Sequence, residues 1–142
     1  MSLSLDQART IIAAARAAGR QAALQPLSVV VLDAGGHVTA FEREDGSSNL
    51  RFQIAHGKAH GALALGVGSR ALMARAEQQP YFIAAATAAV GGALIPVPGG
   101  VLVRDERGVT LGAVGVSGDS SDNDELAAVR GIEAAGLVPV TG

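Results

Sequence analysis

The segment Leu27–Leu32 (LSVVVL) constrains the fold of this 142-residue chain more than any other. It is a short, largely β-branched run with a single polar side chain, so the strand that it predicts must be covered on both faces. Similar apolar runs occur at Gly100–Arg104 (GVLVR) and Val109–Ser117 (VTLGAVGVS). Strands of this kind require helices on the faces of their sheet.

Two turn sequences predict how these strands are connected. Asp33–Gly36 (DAGG) joins the first strand to the alternating segment His37–Arg43 (HVTAFER), which predicts a β-hairpin. Asp105–Gly108 (DERG) forms a second hairpin between the last two strands. The apolar run Gly91–Ile95 predicts one more strand, linked to Gly100 by Pro-Val-Pro-Gly, which brings the expected number of strands to five.

Helical spacing of apolar residues indicates the remaining elements. The first helix has Ser4 as N-cap and Gln7 as its capping-box partner, and Asn49 is the candidate cap of the long middle helix. The predicted helices are Ser4–Leu24, Asn49–Gly66, Ser69–Gln78, Tyr81–Ala89 and Ser121–Ala135. This order predicts one α/β domain of the α+β type over residues 1–142, with a mostly antiparallel sheet flanked by helices.

Composition excludes several classes of function. The chain has no cysteine, which excludes disulfides and thiolate metal sites, and its net charge of −2 lacks the basic footprint of a nucleic-acid binder. We find no secretory signal and no apolar run long enough for a membrane span, so we expect a cytoplasmic protein. Hydrophobic residues make up 49% and charged residues 17% of the chain, which favours self-association.

Two strand ends consist almost entirely of small residues and are candidate ligand-binding corners. One contains Gly99 and Gly100, and the other contains Ser117, Gly118 and Asp119. Glycine there either admits a ligand close to the main chain or simply forms a turn. Carboxylates that follow, Asp124 among them, either cap the last helix or form a polar wall for a ligand.

The middle helix carries the candidate catalytic residues. His56 and His60 lie four residues apart on one face, a spacing open to metal binding, to a general base or axial haem ligand, or to simple packing. Glycine at position 57 rules out the HExxH zinc-protease motif, and we assign no metal. Lys58 lies on another face, where it either contacts a ligand carboxylate or extends to solvent. Gly57 and Gly61 indicate that this helix lies very close to a neighbour or to a ligand.

Three segments together resemble a known family. LSVVVLDAGGHVTAFEREDG, IAHGKAHGA and PGGVLVRD…GVTLGAVGVSGDSSDNDE are similar to the GlcG/HbpS-like haem-degrading domains and to the C-terminal domain of PduO-type cobalamin adenosyltransferases. The resemblance spans residues 4–137. It implies a profilin-like fold, a homo-oligomer larger than a dimer, and haem or another small molecule as ligand in some members.

The chain departs from this family on the middle helix. Where members often have A-R-D-K-A-Y-T-A, residues 55–62 are AHGKAHGA, so Lys58 is retained while His56 and His60 are additions. Two hypotheses follow. The first is an oligomeric binding module for haem or a related molecule. The second is a small catabolic enzyme that uses His60 or His56 as general base and Lys58 as electrostatic clamp, on an oxygenated or carboxylated metabolite.

Overall fold

Five helices and five strands make up the chain, and the computed structural model describes all residues from 1 to 142. The helices are α1 (Leu5–Gln21), α2 (Arg51–Leu65), α3 (Ser69–Gln78), α4 (Pro80–Ala89) and α5 (Ser121–Ala134). The strands are β1 (Ser28–Asp33), β2 (Val38–Arg43), β3 (Gly100–Arg104), β4 (Thr110–Ser117) and β5 (Val138–Val140). None of the helices combines the length and apolarity that crossing a membrane requires.

The strands form one open sheet in the order β2-β1-β4-β3-β5, and every neighbouring pair is antiparallel. The predicted mixed α/β, profilin-like architecture is therefore confirmed. Both predicted hairpins are present, β1–β2 and β3–β4.

Helices cover both faces of the sheet, as the apolar strands predict. Side chains alternate along β1: Val29 and Val31 pack in the core formed with α1 and α5, whereas Val30 and Leu32 pack against α2. All four side chains are fully buried. Helix α2 thus lies on the opposite face of the sheet from α1 and α5.

The caps predicted from the sequence are observed at some helix ends and not at others. The Ser4–Gln7 capping box at the start of α1 is confirmed. The predicted cap of α2 is wrong: Leu50, not Asn49, occupies the N-cap position, and no side chain caps that end. At its C-terminal end α2 stops at Gly66, whose φ of 74° is a left-handed conformation that glycine adopts without strain.

The prediction of a strand at Gly91–Ile95 is wrong. This segment follows α4 as a turn and an irregular stretch, and the Ile95 N–H donates to the Gly57 carbonyl of α2 at 3.0 Å rather than to a strand. The absence of side chains at Gly57 and Gly61 allows Ile95 and Leu94 to approach the helix closely, as the glycines suggested. The fifth strand is instead β5, which pairs with β3 at the edge of the sheet.

Candidate functional site

Four rings form a continuous row over the surface of α2, which we call the aromatic row: Phe41, Phe52, His56 and His60. Phe41 of β2 meets Phe52 edge to face, with ring centroids 4.8 Å apart. Phe52 stacks on His56 at 5.5 Å, and His56 stacks on His60 at 5.3 Å. Because the last three residues are spaced by four, they lie on one face of the helix. The row places two half-buried imidazoles beside an apolar aromatic surface.

His60 is held in one orientation by the main chain. Its Nδ1 lies 3.0 Å from the carbonyl oxygen of Ala93, in the segment that the glycines of α2 draw close. A carbonyl can only accept, so Nδ1 carries the proton and donates it. The neutral imidazole therefore keeps its lone pair on Nε2, which is the arrangement that metal-ligating and general-base histidines use.

Nε2 of His60 faces a small cavity at the β1–β2 turn, which we call the turn cavity. A Cβ placed on Gly36 would lie 3.4 Å from Cδ2 and 3.7 Å from Nε2 of His60, so this edge of the ring adjoins the glycine turn. The turn cavity has a volume of about 140 Å³ and is lined by Ala34, Gly35, Gly36, His60, Leu63 and Ala64. His37 lies outside this lining, with its side chain 80% exposed and its ring against Asp33.

His56 differs from His60 although the two rings stack. It makes no hydrogen bond to a protein group, so neither of its nitrogens is fixed. Burial lowers the pKa of His56, and the neighbouring His60 lowers it further. His56 is accordingly neutral around pH 7, with a free lone pair next to Phe52.

Lys58 points away from the row into the protein. Its side chain is 2% exposed, and Nζ donates to the Val116 carbonyl at 2.9 Å and to the Asp124 carboxylate at 3.1 Å. Burial disfavours the charged form of both groups, so it lowers the pKa of Lys58 and raises the pKa of Asp124. The charge of Asp124 opposes the shift of the Lys58 pKa. The pair links α2 to the first turn of α5, and its ammonium group does not face the turn cavity.

The expected space beside Gly99 and Gly100 is filled by protein. A Cβ on Gly100 would overlap the carbonyl oxygen of Lys58, and one on Gly99 would lie 2.9 Å from Lys58 Nζ. The Gly100 N–H donates to Ser69 Oγ at 2.7 Å. These glycines let α2 lie directly on the sheet, and their role toward a ligand stays a prediction.

The second corner is also occupied by internal partners. Ser117 Oγ accepts from Arg51 at 3.0 Å, and a Cβ on Gly118 would overlap the Pro26 carbonyl. The Asp119 carboxylate accepts from the main-chain N–H of Gln25 and Ser120 and from Asn123. These contacts favour the alternative in which the carboxylates cap α5, where Ser120 Oγ also accepts from the Asn123 N–H; a role toward a ligand stays a prediction.

The candidate residues thus separate into two places. His56 and His60 lie together on an open surface, whereas Lys58, Asp124 and the glycine corners form one internal network. Sequence reasoning missed Phe52, although its spacing of four from His56 was visible, and it missed Phe41. The Ala93 carbonyl could not be found, because it lies 33 residues from His60 and carries no side-chain signal.

A family model and several solved structures all relate this chain to one family. The model of the haem degrading protein HbpS-like family matches residues 3–133. The HbpS crystal structure is 26% identical, with a TM-score of 0.80 over 94% of this chain and 89% of that one. A HbpS double mutant from Streptomyces reticuli matches equally well, at 26% identity and TM-score 0.80 over 94% and 86%. No curated protein sequence matches.

A structure of PduOC crystallised as a haem complex has the same fold, with a TM-score of 0.85 and 24% identity over 96% of this chain and 97% of that one. At this level of identity the likeness concerns the fold alone.

Proposed function

We propose, from the premise that this chain belongs to the HbpS-like haem-degrading family, that it binds haem or a related small molecule at the aromatic row of α2. The observation that carries the proposal is the His60 Nδ1–H···O=C bond to Ala93, which leaves the lone pair of Nε2 available to a ligand. The family is that of haem-degrading HbpS-like proteins, and PduOC of the same fold was crystallised with haem.

The residues of the row fit such a ligand. An axial imidazole whose other nitrogen donates to a carbonyl has its tautomer and ring plane fixed, which favours metal binding. Phe52 and His56 add apolar ring edges next to it, because their faces stack on each other and on His60. His60 would hold the iron, and bound haem would supply redox-active iron at this surface.

The size of the turn cavity bears on how haem would be held. Its volume of about 140 Å³ is well below the ~300–1,000 Å³ of sites that enclose drug-sized ligands. A haem group on His60 would therefore extend over the surface of α2. We propose that copies of this chain associate into an oligomer larger than a dimer and that a neighbouring copy covers the exposed part of the ligand.

Haem titration of the purified chain tests this proposal. We expect a Soret band whose affinity falls at least ~10-fold, about 1.4 kcal/mol, in His60→Ala and far less in His56→Ala. His37→Ala is the matched control, because this exposed histidine lies outside the aromatic row, and it should bind as the unmodified chain does. Equal losses in all three variants, or normal binding by His60→Ala, would contradict the assignment.

A small-molecule enzyme is the second candidate, because His60 lines the turn cavity and its Nε2 is free to accept a proton while Nδ1 is bound to Ala93. In this alternative His60 is the general base toward an oxygenated or carboxylated metabolite, with His56 beside it. Lys58 would then act through the position of α2 rather than as a clamp, since its ammonium group is bound internally. Turnover that is lost in His60→Ala without any haem bound would favour this candidate.

A further inference from the structure

A second cavity lies between α3 and α4, away from the aromatic row. We call it the α3–α4 cavity; its volume is about 350 Å³, and it is lined by Leu65, Val67, Ala71, Leu72, Arg75 and Phe82. It shares no residue with the turn cavity. Its size falls within the ~300–1,000 Å³ typical of small-molecule sites, and five of its six lining residues are apolar.

Arg75 is the one charged group in this lining, and it is preorganised. Its guanidinium carbon lies 3.8 Å from the centre of the Phe82 ring, and its Nε donates to Gln79 Oε1 at 2.6 Å. These two contacts fix the plane of the group and use only one of its five N–H bonds. The two terminal nitrogens donate to no protein acceptor.

Arg75 also lacks a carboxylate partner. No aspartate or glutamate oxygen lies within 4.0 Å of it, whereas Arg70 on the same helix is paired with Asp122 and Glu125. A guanidinium with two free terminal nitrogens binds a carboxylate in a planar, bidentate geometry. The apolar wall and this free cation together match a ligand with a hydrocarbon body and a single carboxylate.

We propose that the α3–α4 cavity binds an amphipathic monocarboxylate, a short fatty or aryl-alkyl acid. Its apolar body lies against Leu65, Leu72 and Phe82, and its carboxylate pairs with Arg75. The guanidinium stacks on the face of Phe82, and the edge of the guanidinium points to the acid. The same ligand is therefore bound both by its charge and by burial of its apolar body. This site is independent of haem binding at the aromatic row.

Octanoate and octan-1-ol, which differ in the charged head group, test the proposal on the isotopically labelled chain by NMR titration. We expect octanoate to shift the amide signals of Val67, Ala71, Leu72 and Phe82 and to bind at least ~10-fold more tightly than octan-1-ol. Arg75→Gln should weaken octanoate at least ~10-fold and leave octan-1-ol unchanged, while Arg75→Lys keeps part of the affinity. Arg43→Gln, at an exposed arginine without an ion pair, is the matched control and should bind normally.

Three results would overturn the proposal. Equal affinity for the acid and the alcohol would show an apolar surface without recognition of charge. Octanoate-dependent shifts outside the cavity would place the acid elsewhere. Absence of binding at millimolar octanoate would mean that the cavity takes no such ligand, for instance because a second copy of the chain covers it. The comparison of the two ligands uses the unmodified chain, so it holds even if Arg75→Gln folds poorly.

Discussion

At the scale of single residues, Asp119 shows how a carboxylate expected at a ligand site stabilises the fold instead. Its two oxygens accept three hydrogen bonds, from Gln25 N at 2.8 Å, Ser120 N at 2.8 Å and the Asn123 side chain at 2.8 Å. The bond from Gln25 connects the loop before β1 to the start of α5. These donors lower the pKa of Asp119, with the Gln25 N–H as the largest cause.

Asp119→Asn should therefore destabilise the chain in a pH-dependent way. A carboxylate whose folded-state pKa lies below its ordinary value of 3.8 stabilises the fold above that pH, and the effect disappears as pH falls through the folded-state pKa. The variant should be less stable than the unmodified chain at pH 7, and the difference should shrink below pH 3.8. Urea unfolding followed by circular dichroism at a series of pH values measures this.

The control for that series is Asp45→Asn, because Asp45 is exposed and its side chain makes no hydrogen bond. It should change stability little at any pH. A difference for Asp119→Asn that grows toward acid pH would mean that its charge does not stabilise the fold.

At the scale of helices and strands, the sequence predicts what depends on local pattern. The Ser4–Gln7 box, the DAGG and DERG turns and the apolar run Val29–Leu32 of β1 are short-range signals, and each leads to the element observed. The prediction of a strand at Gly91–Ile95 was wrong because an apolar run predicts burial but does not identify the hydrogen-bond partner of its main chain. That partner is the backbone of α2 and not a neighbouring strand. Strand β5 has only three residues, one of which is Pro139, so its sequence does not predict a strand. Proline is tolerated there because β5 is an edge strand.

In the candidate site, too, the features that depend on local sequence were predictable and those that depend on distant residues were not. His56, His60 and Lys58 were recognisable because their spacing on one helix fixes which of them share a face. The partners of Lys58 and His60 were not, because Val116, Asp124 and Ala93 come from distant parts of the chain. The small residues near Gly100 indicated that another group lies close to the main chain of this strand. That group is helix α2.

The contact between α2 and the sheet should be sensitive to a single methyl group. Gly100 and Gly115 are register partners on β3 and β4, and a Cβ on either would overlap a carbonyl oxygen of α2. Backbone cannot move aside as a flexible side chain does, so Gly100→Ala should cost about 3 kcal/mol or more of unfolding free energy. Thermal and urea unfolding would measure the loss.

Gly35→Ala is the matched control for this substitution. Gly35 is exposed, and its added Cβ would meet the His37 ring at 2.8 Å and Asp33 Oδ1 at 3.4 Å; the exposed end of the His37 side chain can move aside. Its unfolding free energy should stay close to that of the unmodified chain. If Gly100→Ala is tolerated as well as Gly35→Ala, α2 is free to shift on the sheet and the close contact is not required.

At the scale of the whole molecule, the two candidate sites are separate: the aromatic row runs over α2 and β2, and the second cavity lies at α3 and α4. Helix α2 buries Lys58 and its small residues against β3 and β4 while it presents the aromatic row outward. Several large apolar side chains are also exposed, from Val67 at 38% to Tyr81 at 71%. A small protein that exposes this much apolar surface has a physical reason to associate.

We expect the chain to form an oligomer larger than a dimer at micromolar concentration. With 17% charged residues and exposed apolar side chains, contacts between copies should be mainly hydrophobic, so 1 M salt should leave the assembly intact. Sedimentation equilibrium over a dilution series, at low and at high salt, measures the mass and its response. A single 14.2 kDa species would remove the claim, and with it the proposal that a neighbouring copy covers haem at the aromatic row. Dissociation by salt alone would instead assign the association to ion pairs, and would direct attention to the exposed arginines rather than to the apolar surface.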